Sequence, residues 1–287
     1  CIREACDGQK PGLPALGDLA EAQTAGGGKG TPAERTLLQG IESLLESLRR
    51  FAAADRLLIG SVLETITRGQ ETDLTRFRDA AADRIAALDT DADLDAYTYA
   101  VAGCVGEFWT HMCRAHVFPR AALDDAALLA DGVRFGKGLQ LVNILRDLPR
   151  DLRQGRCYIP RDRLSGCGFE PRDLLDAARM DRFRPLYSLY LSQAEDCLQA
   201  GWRYTTGLPY RCVRVRLACA WPILIGIRTI RELRNGNVLD AGRHVRIRQA
   251  DTWSILRRTI LYYAWPAKWN GLYELYDRGE SGRGRTD

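Results

Sequence analysis

The stretch GKGLQLVNILRDLPRD, from Gly136 to Asp151, decides how this chain is read. On a helix at about 100° per residue, Asn143, Asp147 and Asp151 step by four and drift about 40° each, with Gln140 one turn earlier on the same side. Leu139, Val142, Leu145 and Leu148 flank this polar ladder, so it points inward or into a cleft, where unpaired carboxylates are costly. A positive partner is expected there. Carboxylate and amide oxygens with no His or Cys beside them suit a hard cation such as Mg²⁺, which binds through one or two carboxylates and leaves positions for phosphate oxygens and water. The alternative is a solvated pair, with Asp147 and Asp151 matched to Arg146 and Arg150. The inward companions Gln140 and Asn143 favour the metal. Pro149 lacks an N–H and clashes with the Leu145 carbonyl, so a kink or an end is expected near Leu148.

Helical periodicity extends in both directions from this ladder, and strand-like alternation never lasts more than a few residues. Leu37, Leu38, Ile41, Leu44, Leu45 and Leu48 form an i, i+3, i+4, i+7 stripe, as do Leu57, Leu58, Val62 and Ile66. Further helices are predicted over 72–88, 93–117, 121–148, 184–206 and 211–235, with a last one near 250–264. The chain reads as all-α. Residues 1–30 are a flexible Gly/Pro-rich segment, and their Gly26-Gly27-Gly28-Lys29-Gly30 run lacks the residues of a phosphate-binding loop. Thr31-Pro32-Ala33-Glu34 reads as an N-cap, a proline at the first helical position and a capping-box glutamate, so one helical domain over 31–264 is expected, followed by a polar and aromatic tail over 265–287.

A chain of 287 residues is long enough for an enzyme with a sizeable core. Its net charge of +4 comes from arginines interspersed among acidic residues, with no long basic run, which argues against nucleic acid as a partner. The nine cysteines form no C-x-x-C pair and are read as reduced, mostly buried thiols of a cytoplasmic protein. Cys113 lies between His111 and His116 at a spacing that fits no zinc pattern. Leu217–Ile227 has the length of a buried core helix. The run Leu261–Trp269 is expected to pack on the bundle, with a peripheral contact at the inner membrane surface as the alternative.

A second segment, Tyr97-Thr98-Tyr99-Ala100-Val101-Ala102-Gly103-Cys104-Val105-Gly106, sets small residues inside a helix. Each internal glycine costs on the order of 1 kcal/mol relative to alanine. Either close helix packing or a groove for a long apolar chain accounts for them. Together with Gln140-x-x-Asn143-Ile144-Leu145-Arg146-Asp147-x-x-x-Asp151-x-x-x-Gly155-Arg156-x-Tyr158-x-Pro160, this segment resembles the squalene/phytoene synthase family of head-to-head prenyl transferases, nearest its bacterial squalene synthase-like members. Weaker similarity runs from Pro32 to Thr259 and includes Thr67-Arg68-Gly69-Gln70-Glu71-Thr72-Asp73.

The resemblance implies an isoprenoid-synthase helical bundle with a central cavity, prenyl diphosphate substrates and Mg²⁺. Two farnesyl diphosphates would join through presqualene diphosphate, which NADPH reduces to squalene; phytoene or dehydrosqualene formation, without reductant, is the alternative product. By the same resemblance, Asn143, Asp147 and Asp151 would hold the metal, Gln140 would line the reaction centre and Tyr99 would sit beside the developing cation. Arg146, Arg156 and Tyr158 would bind diphosphate, with Gly103 and Gly106 opening room for the prenyl chains. Arg150 departs from the family by standing where a glutamate is common. The family's first D-x-x-x-D has no counterpart here; Asp89-Thr90-Asp91-Ala92-Asp93 reads as a polar turn. Cys1 is therefore expected to be an internal position of a longer enzyme, with a truncated or non-catalytic relative as the competing identity.

Overall fold

The computed structural model describes residues 6–7, 31–240, 242 and 245–278. The chain divides into two compact units, Cys1–Glu64 and Thr65–Asp287. In the first, α1 (Pro32–Leu48) begins at the predicted proline, and α2 (Ala53–Arg76) starts here and runs on into the second unit. Within this unit the Arg56 guanidinium donates to the Cys6 carbonyl at 2.9 Å. The apolar stripe expected here buries only in part: Leu45 is buried, whereas Leu37, Leu44 and Leu57 are exposed.

The second unit is helical, as the periodicity predicts. It contains α3 (Asp91–Thr98), a π-helical turn (Tyr99–Gly103), α4 (Cys104–His116), α5 (Asp125–Arg153) and α6 (Arg161–Gly166). Then follow α7 (Met180–Gly207), α8 (Val213–Asn235), α9 (Gln249–Tyr262), α10 (Pro266–Asn270) and α11 (Leu272–Arg278). Leu141, Leu145, Leu148 and Leu152 of α5 are buried in one core with Phe183, Leu191 and Leu198 of α7 and Ile223, Ile227 and Ile230 of α8. Each such side chain contributes roughly 1.5–3 kcal/mol by leaving water.

Two expectations change. The helix expected over 72–88 is formed only to Arg76, where α2 ends, and β1 (Ala86–Ala87) pairs in parallel with β2 (Arg156–Cys157). The turn before β2 needs Gly155 at φ +79°, where a Cβ would lie 2.3 Å from the Ala81 nitrogen. Nor does Pro149 end its helix, since α5 continues to Arg153. The carbonyl that Pro149 cannot satisfy, that of Leu145, accepts a hydrogen bond from the buried Tyr187 hydroxyl at 3.0 Å. Tyr187→Phe should therefore destabilise the chain by about 1–3 kcal/mol in urea unfolding, the cost of a buried unpaired carbonyl; an unchanged midpoint would show that water replaces the phenol. In the expected aromatic tail, α10 and α11 follow residue 264, and Trp269 is fully buried and stacked on Trp202 at 5.0 Å. The Trp269 indole donates to the Thr259 carbonyl at 3.0 Å.

The eight described cysteines are all free, and only Cys167 among them is exposed. Among the described residues, no helix is long and apolar enough to cross a membrane.

Candidate active site

The second half of α5 sends its polar ladder toward three different surroundings. Gln140 and Asn143 line an apolar cavity of about 370 Å³ whose walls include Val101, Ala102, Val105, Trp109, Phe135 and Tyr204. Gly106 and Gly136 also line it, and both sit at helix crossings with no room for a side chain. A Cβ on Gly106 would lie 2.0 Å from the Gly132 carbonyl oxygen, and one on Gly136 would lie 2.2 Å from that of Ala102. At Gly106 both readings of the small residues hold at once, because the same atoms pack a helix and border a groove.

Further along, Asp147 is gripped by its neighbour Arg146, whose Nε and Nη2 donate to the two carboxylate oxygens at 2.8 Å each. Both residues border a polar cleft of about 450 Å³ with Arg150, Asp240 and Arg246. Asp151 lies deeper, and its carboxyl is pushed up to about 6, first by burial and then by the charge of Asp147. Asp73 adds to that rise, while Arg150 and Arg156 oppose it.

Asp73 is the residue whose role the sequence reading missed. It stands near the end of α2 and accepts a hydrogen bond from the Tyr158 hydroxyl at 3.1 Å, with Arg156 Nη1 at 3.5 Å. Burial raises its carboxyl despite these partners. Tyr158 stacks on Tyr97 at 4.8 Å, and the Arg156 guanidinium lies 5.8 Å from the Phe77 ring. The short β1–β2 ladder and the Gly155 turn thus hold Arg156 and Tyr158 over the carboxylates. The close approach of α2 depends on Gly69, where a Cβ would lie 2.7 Å from that of Ala100. A lone aspartate in an arginine-rich helix carries no local signal; only the Thr67–Asp73 similarity pointed to it.

Tyr99 and Gly103 stand apart from this constellation. The Tyr99 hydroxyl donates to Glu107 Oε2 at 2.8 Å, and Tyr99 is not among the residues lining these cavities. Gly103 is buried against the Lys137 and Tyr99 side chains. The Asp89–Asp93 turn is occupied structurally. Asp93 caps α3 with Thr90, Arg76 bonds Asp89 and Asp93, and Asp91 receives Arg163 and the Tyr190 hydroxyl.

Among the described residues, no group of three or more His, Cys, Asp or Glu side chains is arranged to hold a metal ion alone. The charges of Asp147 and Asp73 both raise Asp151, so negative charge gathers at this end of the site, which a Mg²⁺ shared with a phosphate and water would offset.

A family described as squalene/phytoene synthase matches residues 4–251. A bifunctional lycopene cyclase/phytoene synthase of Arthroderma gypseum is 30% identical over 168 residues, which are 58% of this chain and 28% of that protein. A 15-cis-phytoene synthase of Synechocystis is 29% identical over 181 residues, 62% of this chain and 51% of that one. The matched stretches thus span about half or less of these relatives' own length. Among solved structures, TcSQS in complex with the ligand BPH1237 superposes with a TM-score of 0.70 at 19% identity, covering 98% of this chain and 82% of the other. That likeness establishes the fold.

Proposed function

Because this chain belongs to the squalene/phytoene synthase family, we propose that it joins two prenyl diphosphates head to head. The observation that carries this is the course of α5, which presents Gln140 and Asn143 to an apolar, aromatic-walled cavity and, one to three turns on, Asp147 and Asp151 to a charged cluster. Ionising an allylic diphosphate needs exactly these two environments side by side: charge neutralised on the leaving group, and dry ring faces around the cation.

In this proposal Asp147 and Asp151 would hold Mg²⁺, which would supply charge neutralisation on the departing diphosphate, and Asn143, at the apolar cavity one turn before Asp147, would join them only from that side. Arg156, Tyr158 and Arg146 bind its oxygens, and Asp73 keeps Tyr158 and Arg156 in place. Trp109, Phe135 and Tyr204 turn aromatic surface toward the cavity, and Gln140 orients the reacting carbons. Gly106 keeps the wall low enough for a prenyl chain. Tyr99 takes no direct part while Glu107 holds its hydroxyl. With farnesyl diphosphate the product would be presqualene diphosphate, and squalene where NADPH is used. The names of the matched relatives favour a second reading, a phytoene-type product formed without reductant.

Pyrophosphate release from farnesyl and geranylgeranyl diphosphates, with and without Mg²⁺, tests the proposal; no release from either substrate would overturn it. A pH profile gives a second check. The folded chain holds the Asp151 proton more tightly than the unfolded chain, so stability without metal should fall as pH rises from the ordinary 3.8 through about 6. Mg²⁺-dependent binding of an unreactive farnesyl thiodiphosphate needs the ionised carboxylate and should tighten over the same interval. Asp151→Asn should flatten both curves; a wild-type-like pH response in that variant would place the titration elsewhere.

A further inference from the structure

Two packed segments of the second unit carry no carboxylate at all. Residues 197–231 and 252–273 contain no Asp or Glu, although 37 acidic residues are spread through the chain. The same segments hold cations: Arg203 is exposed and paired with Asp131 at 2.8 Å, and Arg211, Arg214, Arg257 and Lys268 are exposed as well. Between them stand large apolar side chains open to solvent: Trp253 at 63%, Ile260 at 57%, Leu261 and Trp265 at 56%, and Tyr210 and Val213 at 39%.

The geometry makes one face of these residues. On α9, Trp253, Arg257, Ile260 and Leu261 recur at the helical period on the exposed side, while Ile255 and Thr259 occupy the buried side. Tyr210, at the entrance to α8, stacks on Tyr263 at 4.6 Å, just past the end of α9. Lys268 lies over the Trp265 ring at 5.6 Å. The platform beneath is cross-linked by a buried arginine. Arg216 is 2% exposed, donates to the carbonyls of Thr206 and Leu208, and lies 5.1 Å from the Tyr210 ring and 4.5 Å from that of Trp269.

We propose that this face of α9 and the start of α8 seats the protein on an anionic phospholipid surface. Tryptophan and tyrosine prefer the headgroup level, aliphatic side chains enter the acyl boundary, and arginine and lysine meet lipid phosphate. Exposed cations on segments that carry no carboxylate of their own are complementary to a negatively charged bilayer, whereas a second copy of the chain would bring like charge against like. The contact does not depend on the chemistry proposed above.

Sedimentation with phosphatidylglycerol-containing vesicles, against vesicles of phosphatidylcholine alone, tests the assignment on the whole chain. The protein should pellet with the anionic vesicles, bind neutral ones about tenfold more weakly, and be released by raised salt. The pair Arg257→Glu and Lys268→Glu, and separately the triple change Trp253→Ser, Leu261→Ser and Trp265→Ser, should each weaken binding about tenfold or more with thermal unfolding unchanged. For a variant that fails to fold, quenching of wild-type tryptophan emission by brominated lipid replaces it, and quenching is expected. The proposal is overturned by wild-type protein that stays in the supernatant, by equal binding of both lipid mixtures, by folded variants that bind as wild type, or by unquenched emission. A concentration-dependent dimer broken by these changes, without vesicle binding, would assign the face to a second copy instead.

Discussion

Asp147→Ala and Asp151→Asn should each lower kcat/KM for pyrophosphate release by two to three orders of magnitude, about 3–4 kcal/mol of transition-state stabilisation. The effect should fall mainly on kcat, because the charge these carboxylates manage through Mg²⁺ is greatest as the diphosphate leaves. The charges of Asp147 and Asp73 both raise Asp151, so Asp151 becomes easier to ionise when either is neutralised. The Arg146 clamp on Asp147 must open or be shared when substrate arrives, so Arg146→Ala should raise KM more than it lowers kcat. Steady-state kinetics over a Mg²⁺ series would check all three variants. Turnover in Asp147→Ala within threefold of wild type would remove this residue from the metal site.

The second large effect is on stability. Gly106→Ala and Gly136→Ala each place a methyl group 2.0–2.2 Å from a backbone carbonyl oxygen of the facing element, where no side chain can yield. The helices must separate or bend. Overpacking of this kind costs about 1–3 kcal/mol, and occasionally more, while alanine's better helix propensity returns about 1 kcal/mol. A backbone obstacle belongs to the upper end, so a net loss of about 2–4 kcal/mol is expected. Gly40→Ala in α1, where a Cβ would meet nothing within 4 Å, should be neutral or slightly stabilising. Urea unfolding of the three variants separates these cases. Equal midpoints for Gly106→Ala and Gly40→Ala would mean that the crossing is looser than its backbone distances imply.

Much of the architecture was legible because the helices are long and their periods clear: the start at Pro32, the all-α class and the long helix that carries the polar residues of α5 can all be read from spacing. What spacing could not convey was which distant partner answers a local defect. Pro149 reads as a helix end because its own neighbourhood offers no substitute donor; the substitute is Tyr187, on another helix. Residues 86–87 read as helix because the strand that claims them lies at 156–157. Asp73 is silent for the same reason, since the tyrosine and arginine that give it meaning follow more than eighty residues later. The Asp147–Asp151 spacing was visible, but the Arg146 clamp, the deeper burial of Asp151 and the engagement of Tyr99 by Glu107 depend on rotamers that no pattern encodes.

The most direct measurement is mass spectrometry of the organic-extractable and phosphorylated products after incubating the chain with Mg²⁺ and, separately, farnesyl or geranylgeranyl diphosphate. Joining of two prenyl units head to head predicts a Mg²⁺-dependent product of twice the prenyl length, formed without NADPH as a cyclopropylcarbinyl diphosphate or phytoene-type hydrocarbon. Recovery of both substrates unchanged, or of prenyl alcohols alone, would contradict it.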